Sequence, residues 1–337
     1  MKIALDAMGG DYAPDVTVAG AIEAVSEYDV EVILVGDKDR LNEVLKEKRY
    51  PANRITIFHA SEVAGIDESP VAVLRKKKDS SIRKAVELVK TGNADAAVSA
   101  GHSGVAMATA LYLLGKVPGV DRPAIAAIMP SLPGHFVLLD AGANVDCKPE
   151  NLLEFAYMGN AYYKAIFNEA APKVALLSIG EEDTKGNELT KEAFKLLKRS
   201  QGFNFTGNIE GKDVFAGHAD VIVSDGFVGN IVLKTSEGLA ETIIKMLKRE
   251  IANVATGKLG YLMIKPAIRN FKKRTDYDEY GGAPLLGING TCIICHGRSS
   301  ARALKNAIKV ASEMARQRVH ENIATALSAS HPNKEYE

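Results

Sequence analysis

His218-Ala-Asp-Val-Ile-Val-Ser-Asp-Gly-Phe-Val-Gly-Asn-Ile-Val-Leu-Lys-Thr235 is the stretch on which the reading of this chain turns. Its first half is a β-branched apolar run, Val221, Ile222 and Val223, the composition of a parallel strand buried on both faces. Ser224, Asp225 and Gly226 make a tight turn, Gly229 follows, and from Asn230 the apolar positions take helical spacing. Strand, glycine turn and helix start together aim backbone N–H groups at a bound anion. The same pattern stands earlier, at Asn93-Ala-Asp-Ala-Ala-Val-Ser-Ala-Gly-His-Ser-Gly-Val-Ala-Met-Ala-Thr109. The two segments align without a gap at an offset of 125 residues, sharing Ala-Asp, Val-Ser and both glycines. This predicts two turns of one sheet facing one crevice, with the chemistry between them.

The bounds suit such a protein. A chain of 337 residues with 46% hydrophobic content can bury a large α/β core, either as two domains or as one continuous sheet. The 42 basic and 42 acidic residues cancel, so whole-chain charge points to no nucleic-acid partner. No apolar run reaches the ~18 residues of a membrane span. The opening Met1-Lys-Ile-Ala-Leu-Asp6 leads into a strand bearing an acid rather than a secretion signal. Three cysteines without an export signal predict a reducing, cytoplasmic setting.

Along the chain, Lys2–Asp6 predicts a strand, followed by the loop Asp6-Ala-Met-Gly9-Gly10-Asp11 and a helix entered at Pro14. Strands are expected at 31–35 and 55–58, then a loop and one helix over 68–90 carrying the basic run Arg75–Lys78. That run reads as a solvated face, or as a neutraliser of a phosphorylated or acidic ligand. In the earlier copy, Ser99, Gly101, His102, Ser103 and Gly104 occupy a predicted strand's carboxyl end, where open α/β sheets place ligands. Strands at 124–129 and 136–139, joined through Pro133-Gly134, lead to Asp140-Ala-Gly142-Ala-Asn144 and a helix from Pro149. A further strand, 174–179, ends in the polar loop Gly180–Gly186, which holds Lys185. One acid–glycine loop alone is an ordinary helix cap. Four in one chain are harder to explain as unrelated caps.

Beyond Asn230 a helix continues with Leu239, Ile243, Leu247 and Ile251 at every fourth position. Between Lys245 and Arg274 there are nine basic residues against one acid, Glu250, around the apolar patch Leu259–Ile264. Residues 236–278 therefore read as a helical hairpin that dimerises, or that offers a basic, apolar tip to anionic lipid or an acidic carrier. Lys258, Leu262, Met263, Lys265, Arg269, Lys272 and Lys273 are the candidate contacts. Near the end come Tyr280-Gly281-Gly282-Ala-Pro284, a strand at 291–295, and His296-Gly-Arg-Ser-Ser300 opening a closing helix with Leu304, Ile308, Ala311 and Ala315 along one line. The tail after Ser328 reads as polar and frayed. Cys292-Ile-Ile-Cys295-His296 matches a haem attachment pattern, and its first four residues match a redox pair. Haem would need export, a redox pair normally opens a helix, and zinc would lack ligands, so a buried apolar strand is the reading taken.

Asp6–Asp11, Ser99–Gly104, Asp140–Asn144, Ser224–Asn230 and Tyr280–Pro284, in that order and spacing, resemble the bacterial phosphate acyltransferases of fatty acid and phospholipid synthesis. The likeness runs from Met1 to about Met314. It implies acyl transfer from acyl carrier protein to inorganic phosphate, a homodimer, peripheral membrane association, and no cofactor or metal. It further implies one Rossmann-like αβα domain related to phosphotransacetylases and isocitrate dehydrogenases. No Ser-His-Asp or Cys-His nucleophile set stands out, so direct attack of phosphate on the thioester is the expected route. His102, Lys185, Asp225 and Asn230 are the expected catalytic group. Asp225 and Asp140 would orient Lys185 or loop amides. Phosphate or acyl contacts are expected from Asp6, Gly9, Gly10, Ser99, Gly101, Ser103, Gly104, Asp140, Gly142, Asn144, Gly226, Gly229, Gly281, Gly282 and His296. A coenzyme A-dependent phosphotransacetylase, a nicotinamide-dependent dehydrogenase and a non-enzymatic membrane scaffold remain the alternatives.

Overall fold

Apolar strands alternating with one-sided helices build a single mixed sheet covered on both faces. The computed structural model describes residues 1–65, 67–254, 257–275 and 277–330, with side chains at all of these except 257–259, 262, 270, 272–275, 277 and 330. The first strands and helices are β1 (Lys2–Asp6), α1 (Asp15–Glu27), β2 (Glu31–Gly36), α2 (Lys38–Lys46), β3 (Ile55–His59), α3 (Pro70–Lys76), α4 (Ser81–Lys90), β4 (Ala96–Ser99) and α5 (Ser103–Leu114). The middle of the chain forms β5 (Ala124–Pro130), β6 (His135–Leu139), α6 (Pro149–Phe167), β7 (Lys173–Ser178), α7 (Glu188–Arg199), β8 (Asn204–Glu210) and β9 (Val221–Val223). Two long helices follow, α8 (Gly226–Asn253) and α9 (Gly257–Thr275), and then β10 (Ala283–Leu286), β11 (Cys292–Ile294), α10 (Ala301–Arg316) and α11 (Val319–Ser330).

The eleven strands lie in the order β3-β2-β1-β4-β11-β10-β5-β6-β9-β7-β8. Strands β1 to β4 and β11 are mutually parallel, and so are β6 to β9. The pairs β11–β10, β10–β5 and β5–β6 are antiparallel. Three reversals leave the two parallel halves running in opposite senses. Strand residues buried on both faces, such as Ile3, Ala4 and Leu5, account for the unbroken apolar runs in the sequence. Helices α1, α6, α7, α10 and α11 cover one face, and α4 and α5 the other. The start of α8, through Val232 and Leu233, joins the latter face over β6 and β9.

The expected strands are all present, and four local expectations change. The single helix over 68–90 is two, α3 and α4, because Ser69 caps the first and residues 77–80 turn the chain. The basic run is therefore split, and Lys77 Nζ holds Val63 O at 2.8 Å and Glu68 Oε2 at 2.6 Å. Helix α8 begins at Gly226 rather than Asn230, since the Asp225 carboxylate accepts from Val228 N at 2.9 Å and caps it there. A further helix not foreseen, α11, follows Arg316, with Val319, Ile323 and Leu327 buried against α6; the tail expected to fray after Ser328 falls mainly on residues 331–337, which lie outside the described residues. Leu239, Ile243 and Leu247 are 58%, 50% and 48% exposed, so that stripe faces no core of its own chain. Cys292 and Cys295 are buried at β11, and burial pushes the Cys292 thiol up to about 12 and Cys295 higher still. Both are packing residues.

Helices α1 and α10 cross where α1 carries Gly20. A Cβ there would stand 2.7 Å from Leu304 Cβ and 2.8 Å from Ala301 O. In an isolated helix Gly→Ala gains ~1 kcal/mol, whereas overpacking a close crossing costs ~1–3 kcal/mol. Gly20→Ala should therefore lower stability to chemical denaturation by about 1–2 kcal/mol. A gain would show that the crossing is loose.

Candidate active site

In the first half of the sheet the chain leaves β1 toward β2 on one side and later returns to β4 on the other. The following helices, α1 and α5, pack on opposite faces, which opens a crevice between the carboxyl ends of β1 and β4. Asp6 and Ser99 form its floor, with Ser99 Oγ donating to Asp6 Oδ2 at 2.7 Å and accepting from Gly101 N at 3.1 Å. Gly9 and Gly101 close over them. A Cβ on Gly9 would stand 2.8 Å from Gly101 N, so only glycine lets the two loops touch. A third loop joins from β11, where Asp11 N donates to Gly297 O at 2.8 Å and Cys295 N to Ser99 O at 2.8 Å. Gly281, at φ 73°, lies on the α10 backbone at Asn306 and Ala307, bringing the start of β10 to the same edge.

Hydrogen-bond accounting shows what this group can bind. The N–H groups of Gly10, His102, Ser103 and Gly104 make no hydrogen bond among the described residues. His102 caps α5, its Nδ1 accepting from Val105 N at 3.3 Å. The neutral ring then carries its proton on Nε2, where it can be donated. Free N–H groups at a helix start, with the dipole's positive end behind them, suit an anion. The floor itself is too small for one. Beneath Val63 and Ala64 it encloses about 10 Å³, so a tetraoxyanion fits only at the mouth. Asp6 is 2% exposed, and burial raises its carboxyl against the opposing hydrogen bonds of Ser81, Ser99, Met8 and Gly9. Expected as a phosphate or acyl contact, Asp6 instead sits below, bonded to the loops that make the mouth. Sequence reasoning passed over Ser81, which opens α4 at that carboxylate, and Arg298, exposed at the same edge with Nε 3.8 Å from Asp11 Oδ2. The serine pair Ser80-Ser81, a helix-start signal, would have led to the first.

The later copy belongs to a second group. Asp140 is fully buried, and its two oxygens accept from Ile125 N at 3.0 Å, Gly142 N at 3.1 Å, Ala143 N at 2.9 Å, Asn144 N at 2.7 Å and Asn144 Nδ2 at 2.9 Å. Burial raises this carboxyl too, and those donors pull the other way. The loop is thus an anion nest already filled by its own carboxylate. Gly226 N is taken by Asn144 O at 2.7 Å, and a Cβ on Gly229 would overlap the Asp140 carbonyl. Gly142, Asn144, Gly226 and Gly229, expected to receive phosphate or acyl, are committed to this internal knot. Lys185 lies in the loop after β7 at the same edge, its ammonium in no ion pair among the described residues.

The expectation of one shared crevice is corrected by the strand senses. β4 and β9 run oppositely, so their glycine turns emerge at opposite edges of the sheet. They are also five strand positions apart, about 24 Å at ~4.8 Å per strand. His102 therefore stands in the first group, and Lys185, Asp225 and Asn230 in the second. Gly281, Gly282 and His296 join His102. On α9, Met263 is 78% exposed and Lys265 and Arg269 are exposed, whereas the side chains of Lys258, Leu262, Lys272 and Lys273 lie outside the described residues. Among the described residues no helix is long and apolar enough to cross a membrane, and no group of three or more His, Cys, Asp or Glu could hold a metal ion.

Comparison with known proteins adds a family and a fold. The profile described as fatty acid synthesis protein matches residues 1–322. A phosphate acyltransferase of Thermodesulfovibrio yellowstonii is 62% identical over 99% of this chain and 96% of its own. The phosphate acyltransferase of Geobacter sulfurreducens is 52% identical over 96% and 93%. A solved phosphotransacetylase from Streptococcus pyogenes superposes with a TM-score of 0.67 over 94% of each chain at 21% identity. A 4-hydroxythreonine-4-phosphate dehydrogenase from Klebsiella pneumoniae does so at 0.54 over 94% and 99%, with 13% identity. Both structures establish the shared αβα fold alone.

The filled nest has a measurable consequence. Asp140→Asn would set an amide N–H against backbone N–H donors, and buried donors left unpaired cost ~1–3 kcal/mol each. The substitution should destabilise the fold by about 2–4 kcal/mol in denaturant unfolding. A change below 1 kcal/mol would mean the loop can satisfy its N–H groups without the carboxylate.

Proposed function

The chain belongs to the fatty acid synthesis protein family, alongside phosphate acyltransferases, and we propose that it transfers a fatty acyl group from acyl carrier protein to inorganic phosphate. The observation carrying this reading is the set of N–H groups at Gly10, His102, Ser103 and Gly104, unpartnered among the described residues, at the mouth between β1 and β4. Phosphate near neutral pH already carries much dianion, so it needs placement more than a base. One phosphate oxygen attacks the thioester carbonyl. The C–O bond forms, the C–S bond breaks through a tetrahedral oxyanion, and the thiolate leaves, needing little acid. His102 Nε2–H is the donor available to that oxyanion or to the thiolate. Asp6 acts at one remove, through Ser99 and the Gly101 amide. Lys185, Asp225 and Asn230, at the other edge, are assigned no contact with this phosphate.

The exposed face of α8 and α9 serves the partners. The stripe farther along α8, including Met246 and Leu247, suits a second copy of the chain. The basic, apolar α9 suits an acidic carrier protein and, reversibly, an anionic membrane surface. A donor carried on free coenzyme A is the competing reading. Its inhibition of carrier-dependent turnover would decide between them.

In an assay of phosphate-dependent thioester loss, His102→Ala should lower kcat/KM for phosphate by about 10²-fold, the scale of a lost oxyanion donor. Lys185→Ala should change it less than threefold. Equal losses would put the two in one site and overturn the assignment. Separately, Lys265→Glu with Arg269→Glu should weaken carrier binding at least tenfold at low salt and flatten its salt dependence. Met263→Glu should release the protein from anionic vesicles in flotation, and unchanged flotation would rule out this face.

A further inference from the structure

An apolar groove, of about 250 Å³, runs between α8, α9 and the carboxyl end of β5. Met129, Phe215, Leu233, Ala240, Ile243 and Phe271 line it. Its polar lining is already engaged: Ser236 Oγ donates to Val232 O at 2.7 Å in its own helix, and Glu237 pairs with Lys234 at 2.8 Å. Nothing on those two side chains asks for a polar ligand. One wall is Tyr280, from which the chain passes straight into Gly281 and Gly282. A Cβ on Gly282 would stand 2.8 Å from Cys295 Sγ, and Cys295 N is the donor to Ser99 O. The groove thus opens one short segment away from the mouth where phosphate is placed, on the same edge of the sheet. The strand senses require this as well, because β5 ends at the edge where β11 ends and β10 begins.

We propose that this groove is the acyl-chain subsite, holding the hydrocarbon of the acyl donor while its thioester carbonyl lies at the mouth between β1 and β4. The inference rests on the acyl-transfer reading above. At a volume of roughly 30 Å³ per methylene, taken as that of a water, the groove accommodates about eight methylenes. Its outer end opens onto Leu239 and Ile243, which are half exposed. A second copy of the chain is the other conceivable cover. The groove, however, is a concavity on the same edge of the sheet as the phosphate mouth, three strand positions or about 14 Å along it at ~4.8 Å per strand, whereas Met246 and Leu247 farther along α8 offer a stripe for a flat partner.

The experiment is a chain-length series of acyl thioesters on one carrier protein, from butyryl to hexadecanoyl, with turnover followed by acyl phosphate formation. In the unmodified protein, kcat/KM should change little among the shortest donors and then rise by up to about fourfold per added methylene once the chain is long enough to enter the groove. Ala240→Phe fills the groove from α8. It should cut kcat/KM for hexadecanoyl donors at least thirtyfold and for butyryl donors less than threefold, with Ala240→Leu intermediate. Equal losses at both lengths, or none at either, would overturn the subsite. Mass by light scattering is measured on the same samples, and a changed oligomer with an unchanged chain-length profile would give the groove to a second copy instead. Phosphate-dependent turnover of the butyryl donor by the unmodified protein tests the underlying reading separately. Its absence would defeat that reading whatever the groove does.

Discussion

Three antiparallel pairings at the centre of the sheet, β11–β10, β10–β5 and β5–β6, constrain everything built on it. Parallel strands deliver their carboxyl ends, and the helix starts that follow, to one edge. Reversing the sense partway across sends the second set of helix starts to the opposite edge. Two turns that match residue for residue in the sequence are thereby given different surroundings. The hydrogen bonds of β10, four residues long, enforce the arrangement, since a short strand pinned on both sides cannot slip register without exposing its apolar face.

The two edges then differ in how their N–H groups are satisfied. At Asp140 a single carboxylate receives four backbone N–H groups and one side-chain amide, so the turn is closed and its glycines serve close packing. At Asp6 the carboxylate is held lower, by Ser99 and Ser81, and the N–H groups of His102, Ser103 and Gly104 have no partner among the described residues. Acid, glycine and helix start are the same ingredients in both places. The difference is whether the acid can reach the amides. Where it can, the loop is closed on itself; where it cannot, the amides stay available, which is the basis of the phosphate placement proposed above.

Helix α8 runs from the second group of loops to an exposed apolar stripe. Its first turn is locked to the Asp140 nest, its next turns cover β6 and β9, and its remaining length carries exposed Leu239, Ile243, Met246 and Leu247 beyond the sheet. A helix apolar on an uncovered face is stable alone only at a cost in exposed area. That face is therefore where a hydrocarbon chain, another copy or a lipid surface gains most by binding. The groove beside Tyr280 has α8 as one wall, and from Tyr280 the chain runs on to Gly281 and Gly282 at the edge where the phosphate mouth is proposed.

The fold class was legible from residues alone. Buried parallel strands need unbroken β-branched runs, helices need one-sided spacing, and each join needs an acid or glycine at a set place, so β1, β6 and β9 and their turns could be placed directly. The burial of Cys292 and Cys295 was legible too, from the isoleucines between them. Strand order and sense were not, because a strand's own residues do not encode which neighbour it pairs with or in which direction. That choice is made by distant chain segments competing for the same backbone hydrogen bonds. Hence His102 and Lys185, indistinguishable in the sequence as polar residues in glycine loops, were parted only by the tertiary structure. The stripe on α8 was visible as a period of four, but that it faces outward was decided by the tertiary structure, in which α8 runs past the strands it covers.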